Sequence, residues 1–164
     1  MVYLLNILMF VACFLLDTTK IVDIISIFGI MPQFVFVLLL CFCIYYSKEK
    51  SLVLAVIVGL VTDIVTASPI GAYAVLFLGA SVLCSVTYEN IIERSLPSAL
   101  AVIFVISSIL NIITYIFQIF MGKDFAFMYC LWRYILPTGV YNVIITPALY
   151  WLVGKVYYRN ERIF

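Results

Sequence analysis

Six apolar runs, separated by short polar or Gly/Pro junctions, constrain this chain more than any other feature of its 164 residues. A helix needs about 20 residues to cross a hydrocarbon core roughly 30 Å thick, so the chain has room for five or six crossings and almost nothing else. Hydrophobic residues make up 67% and charged residues 10%, against about 45–50% and about 25% in a soluble domain, so a water-soluble globule could not be clothed in polar surface. With a mean hydropathy of +1.27, the expectation is an all-α integral membrane protein: a six-helix bundle forming one polytopic domain over residues 1–164, with no soluble domain. Function then resides within the bilayer or at its faces.

A window of span length places the first segment at about Val2 to Leu16, continuing as a tilted turn through Asp17, Lys20 and Asp23. It has neither a basic leader nor a small-residue cleavage site, so it does not read as a removable signal peptide. The second lies within Ile24 to Tyr46, with Pro32 opening its main helix, because proline is tolerated in a first turn. Lys48-Glu49-Lys50 ends it. The third runs from Leu52 to about Val65 and turns tightly through Ala67-Ser68-Pro69-Ile70-Gly71 into the fourth, which reaches Tyr88. The fifth extends from near Pro97 to near Met121, and the sixth from about Ile135 to Val153. Between these last two, Phe125, Phe127, Tyr129, Trp132 and Tyr134 suit the headgroup layer.

Loop charges set the orientation. With both termini cytoplasmic, the inner side holds Lys48, Lys50, Arg94, Lys155, Arg159 and Arg162, and the outer side holds Lys20, Lys123 and Arg133. Six against three favours that topology in a cell membrane. It puts Asp63 and the Ser68-Pro69 hairpin toward the outer face.

Histidine is absent, which removes the commonest general base and metal ligand. The five cysteines, Cys13, Cys41, Cys43, Cys84 and Cys130, show no CxxC spacing and read as small lipophilic packing residues. A net charge of +1 gives no field to attract nucleic acid. No catalytic residue, cofactor or metal site is expected.

Polar residues inside the spans carry the information, because each costs free energy unless it finds a partner. Asp63, near a helix end, reads as a cap on the following hairpin, as part of an inter-subunit contact, or as a proton-coupling group; no second buried acid is expected beside it. Ser107, Asn111, Thr114 and Gln118 are spaced four, three and four, on one face of the fifth helix. Thr138, Asn142 and Thr146 form a weaker stripe on the sixth. These stripes can face each other, line a cavity or receive a partner's helix. Small residues from Gly71 to Ser85 suggest that the fourth helix is buried, and Pro137 and Pro147 are expected to kink the sixth, with Asn142 or water satisfying the freed carbonyls.

The block Gly59-Leu-Val-Thr-Asp63-Ile-Val-Thr-Ala-Ser-Pro69-Ile-Gly71-Ala-Tyr73, read as G-x3-D-x5-P-x-G-x-Y, resembles the central motif of the rod shape-determining membrane protein family MreD. Pro32, the basic residues before the third segment, and Tyr141-Asn142…Pro147-x-x-Tyr150 with its basic tail extend the resemblance along nearly the whole chain. It implies a non-enzymatic subunit of the bacterial cell-elongation machinery in the inner membrane. Such a subunit associates with the bitopic protein MreC, and the assembly links MreB filaments to the peptidoglycan polymerase RodA and its transpeptidase partner. The family's fold is similar to the six-helix substrate-binding subunits of energy-coupling-factor vitamin transporters, which supplies an alternative: capture of a small vitamin-like solute. That activity needs a deep outer pocket with convergent polar groups, and the outer loops here are short. The residues expected to bind a partner or hold the fold for it are Asp63, Pro69, Gly71, Tyr73, Asn111, Gln118 and Asn142.

Overall fold

A computed structural model of the chain describes residues 2–18, 33–66, 69, 71–90, 95–120 and 131–161. Among these it is all-helical: α1 (Val2–Thr18), α2 (Phe34–Tyr45), α3 (Lys48–Val65), α4 (Ala72–Asn90), α5 (Leu96–Phe120) and α6 (Leu136–Glu161), the last preceded by one π-helical turn at Leu131–Ile135. Ala72–Glu89, Leu96–Phe117 and Leu136–Arg159 are long and apolar enough to cross a membrane, which fits an integral membrane protein.

The bundle is organised around α2. Its twelve residues, FVFVLLLCFCIY, are apolar all round, and Val35 through Tyr45 are all buried. A helix with no polar face has no side to offer water, and this one touches each of the other five. At about 1.5 Å per residue it is about 18 Å long, well short of a bilayer core. Helix α1 runs antiparallel to it: Asp17 accepts from the first residues of α2, and the Asn6 amide donates to the Tyr46 hydroxyl, 3.1 Å away, at the other end. Helix α6 runs parallel to it, with Asn142 beside Gln33 and Tyr157 stacked edge-on to Tyr46. The outward surfaces carry apolar side chains such as Ile64, Val75, Ile144 and Trp151. Since lipid tails are as apolar as leucine, packing and hydrogen bonds, rather than water exclusion, hold such helices together.

Several sequence expectations need correction. Lys48-Glu49-Lys50 does not end the second helix; it opens α3, with Glu49 in the first turn, where a carboxylate complements the helix dipole. The small-residue helix α4 is not the enclosed one. It packs through Ala74, Ala80, Ser81, Cys84 and Ser85 and exposes Val75, Leu78, Gly79 and Leu83. Helix α6 continues two turns past Val153, to Glu161. Pro137 is the second residue of α6, just after the π turn, a first-turn position where a missing N–H costs little. Asn142 does not serve the carbonyl freed by Pro147; its amide turns to Gln33 and Ser107. Pro32, Ser68, Ile70, Cys130 and the aromatic residues 125–129 lie outside the described residues, as do Lys20, Asp23, Arg94, Lys123 and Arg162.

Candidate functional site

Two polar constructions stand at the end of the bundle where α1, α3 and α5 finish and α2, α4 and α6 begin. The first is the hairpin between α3 and α4. Asp63, in the last turn of α3, is only 1% exposed. Its Oδ2 accepts from the Gly71 N–H at 2.8 Å and the Ala74 N–H at 3.4 Å, and its Oδ1 accepts from the Tyr73 N–H at 2.8 Å. The Ala72 N–H donates to the Pro69 carbonyl at 3.1 Å, and the Val75 N–H to the Gly71 carbonyl at 3.0 Å. The opening donors of α4, orphaned in any helix, are thus all satisfied inside the protein, as a membrane setting demands.

Two glycines make this geometry available. Gly71 has φ +99°, a left-handed conformation that other residues adopt only under strain. Gly59 lies four residues before Asp63, on the same helix face. A Cβ there would fall 2.4 Å from the Ala74 Cα and 2.8 Å from its nitrogen. Only a bare Cα lets α4's backbone come close enough for its amides to reach the carboxylate. Tyr73 is half-buried and meets Phe77 edge-on, with ring centroids 5.9 Å apart, and Phe77 lies against Phe36 of the central helix at 5.4 Å. Pro69 is exposed at the tip.

A second carboxylate performs the same task. Asp17, in the last turn of α1, accepts from the Phe34 N–H at 3.1 Å through Oδ1 and from the Val35 N–H at 2.9 Å through Oδ2. Asp17 is only partly buried and bonds to α2 rather than standing beside Asp63, so each of the first two pairs of described helices has an aspartate on the outgoing helix that caps the incoming one.

The second construction joins the two polar stripes. Asn142 Nδ2 donates to Ser107 Oγ at 3.2 Å and to Gln33 Oε1 at 3.4 Å, while Asn142 Oδ1 accepts from the Gln33 N–H at 3.2 Å. Gln33 Nε2 donates to Asn111 Oδ1 at 3.4 Å. The stripes of α5 and α6 do face each other, and Gln33, at the start of α2, bridges them. Thr146 hydroxyl donates to the Asn142 carbonyl at 2.7 Å and Thr114 hydroxyl to the Leu110 carbonyl at 2.9 Å, so both are spent within their own helices. Gln118 lies on α5 one turn beyond Thr114, with its side chain outside the described residues.

The structure thus brings Asp63, Pro69, Gly71 and Tyr73 together in one hairpin, and Asn111 and Asn142 in one network. Sequence reasoning missed Asp17 and Gln33 as contributors, and named Gly59 only as the first residue of the motif. An acid closing an apolar run, with a proline before the next, marks Asp17 as it marks Asp63, and a glycine one turn before that acid marks Gly59. Among the described residues no cluster of His, Cys, Asp and Glu could hold a metal ion. Cys13, Cys41, Cys43 and Cys84 are free and buried.

A family model described as rod shape-determining protein MreD matches residues 1–160. No curated protein and no solved structure matches the chain, and the solute-capture alternative gains no support from these comparisons.

Proposed function

The chain belongs to the MreD family of rod shape-determining proteins, and from that premise we propose that it is a non-enzymatic membrane scaffold of the cell-elongation complex. It binds an MreC-like bitopic protein and helps position the peptidoglycan synthesis machinery, with RodA, its transpeptidase partner and MreB filaments as indirect partners. The chain crosses the inner membrane six times with both termini cytoplasmic, so that the Asp63 hairpin faces the outer side.

The observation that carries this reading is the start of α4, whose opening amides are all satisfied within the protein. A buried carboxylate that fixes three amides across a turn spends its hydrogen-bonding capacity on shape, leaving no free base for chemistry. What emerges is a fixed turn, with Pro69 exposed and Gly71 and Tyr73 held by the carboxylate, next to exposed apolar faces of α3 and α4. Helix recognition in lipid depends on such fixed surfaces, since packing and a few hydrogen bonds decide partners. Asn111 and Asn142 belong to the supporting interior, joining α2, α5 and α6 behind that turn, and Gln118 is proposed as a further partner-binding or supporting residue on α5.

The test is association with an MreC-like partner, together with restoration of rod shape in cells lacking the protein. At equal protein levels, Asp63→Ala and Gly71→Leu should weaken both more than Cys84→Ala. Equal effects from all three would remove the hairpin from the interface, and no association of the intact protein would end the scaffold reading.

A further inference from the structure

At the opposite end of the bundle, the last turns of α6 form one wall of an open groove of about 620 Å³. Trp151, Lys155 and Arg159 follow one another at four-residue steps along it, on a single helix face. The Lys155 ammonium lies 4.8 Å above the Trp151 ring, which holds the charge at the groove without neutralising it. Among the described residues neither Lys155 nor Arg159 is in an ion pair; the pair present on this face is Lys48–Glu89, at 3.7 Å.

The floor is aromatic. Tyr45, at the end of the central helix, packs against Tyr150 with centroids 4.9 Å apart and meets Tyr158 edge-on at 6.1 Å. Gly154 makes the floor possible, because a Cβ there would lie 2.7 Å from the Tyr45 hydroxyl oxygen. The start of α5, at Leu96, closes the far side.

We propose that this groove binds an anionic membrane lipid, with Lys155 and Arg159 on its phosphate headgroup and the tyrosine floor and Trp151 under the glycerol and upper acyl chain. Three properties select that ligand. Two cations one helical turn apart, neither in an ion pair among the described residues, call for an anion. A volume of about 620 Å³ falls in the range of roughly 300–1,000 Å³ typical of organic ligands and is far larger than an inorganic ion requires. The lining is apolar apart from the cations and phenol groups, so it would leave the backbone of an acidic peptide without partners, whereas a lipid presents charge at one end and hydrocarbon at the other. Tyrosine and tryptophan are the residues that favour the headgroup layer. This inference stands independently of the scaffold reading.

The experiment is native mass spectrometry of the full chain released from detergent, with phosphatidylglycerol and phosphatidylcholine of matched chains added in competition. The wild type should retain phosphatidylglycerol in preference, and each cation near a membrane surface contributes about five-fold to such a preference. Lys155→Gln with Arg159→Gln should abolish it, while Lys48→Gln with Lys50→Gln, the same loss of charge on the same face, should leave it within two-fold. Trp151→Ala keeps the charges and should lower retention of both lipids alike. Equal losses from the two charge pairs, or no preference in the wild type, would overturn the proposal. So would displacement of phosphatidylglycerol by an equal concentration of inorganic phosphate, which would leave only a plain anion site, or by a polyglutamate peptide, which would make the groove a protein contact.

Discussion

Replacing Asp63 by alanine removes the acceptor for two amides at 2.8 Å and a third at 3.4 Å. Where water can take over, loss of a helix cap costs about 0.5–2 kcal/mol. Water does not reach this site, since Asp63 is 1% exposed, and buried donors left open cost about 1–3 kcal/mol each. Two strong donors and one weak one give a loss of about 3–5 kcal/mol once partial relaxation of the turn is allowed for. Asparagine is instructive because it preserves shape. Its single oxygen can face either Gly71 and Ala74 or Tyr73, and whichever it serves, its NH2 group then opposes an N–H on the other side. Asp63→Asn should therefore forfeit about half as much as alanine. The buried thiols supply the assay: Cys43 contacts Ser81 and Cys84 contacts the Leu40 carbonyl across the α2–α4 interface, so a thiol-reactive fluorophore reports α4 leaving the bundle on heating. Taking ~3 °C per kcal/mol for a chain of this size, the midpoint should fall by about 10 °C for alanine and about 5 °C for asparagine. A fall for Asp63→Ala no greater than that for Thr87→Ala, which loses a hydroxyl bonded within its own helix, would refute the claim that this carboxylate holds the hairpin.

Two further outcomes follow from the same geometry. Gly59→Ala should destabilise the protein by about 3 kcal/mol or more, because backbone rather than a flexible side chain stands 2.4 Å from the new Cβ. Gly79→Ala, facing open space in α4, should be neutral or stabilise by up to about 1 kcal/mol through helix propensity; thermal unfolding of both variants checks the contrast, and similar values would contradict the close approach. In the polar network, a double-mutant cycle between Ser107→Ala and Asn142→Ala should give a coupling of about 0.6–1.7 kcal/mol, measured by unfolding in mixed detergent micelles, and additive losses would mean the two stripes do not bond.

Among the described residues, the order of the helices was legible because each apolar run ends in charges, glycine or proline. The hairpin was legible too, since Asp63, Pro69 and Gly71 each have a specific local use. The identity of the central helix was not. Residues 34–45 read as one more lipid-compatible run, and hydropathy does not separate a face toward leucine from a face toward lipid. The small residues of α4 drew the assignment away from α2, although they serve two contacts: Ala74 against Gly59 of α3 at the hairpin, and Ser81 and Cys84 against α2 farther along. Lys48, Glu49 and Lys50 misled for a different reason. A charged cluster marks the membrane surface without saying whether it stops one helix or starts the next, and only two residues, Tyr46 and Ser47, separate α2 from α3. Gln33 was invisible because a lone amide at a helix start has no periodic partner in its own segment; its partners lie 78 and 109 positions away.

Enclosure of the short second helix by the sixth has a consequence for biogenesis. During synthesis the ribosome delivers α2 well before α6, yet α6 supplies both Asn142 at the start of α2 and the tyrosine packing at its end. In the proposed six-span topology, a stretch of about 18 Å would until then stand in a bilayer thicker than itself, with the Gln33 N–H lacking the Asn142 acceptor. In that topology α2 gains its partners at both ends only once α6 is in place, so a chain ending before the sixth helix would leave α2 open on that side.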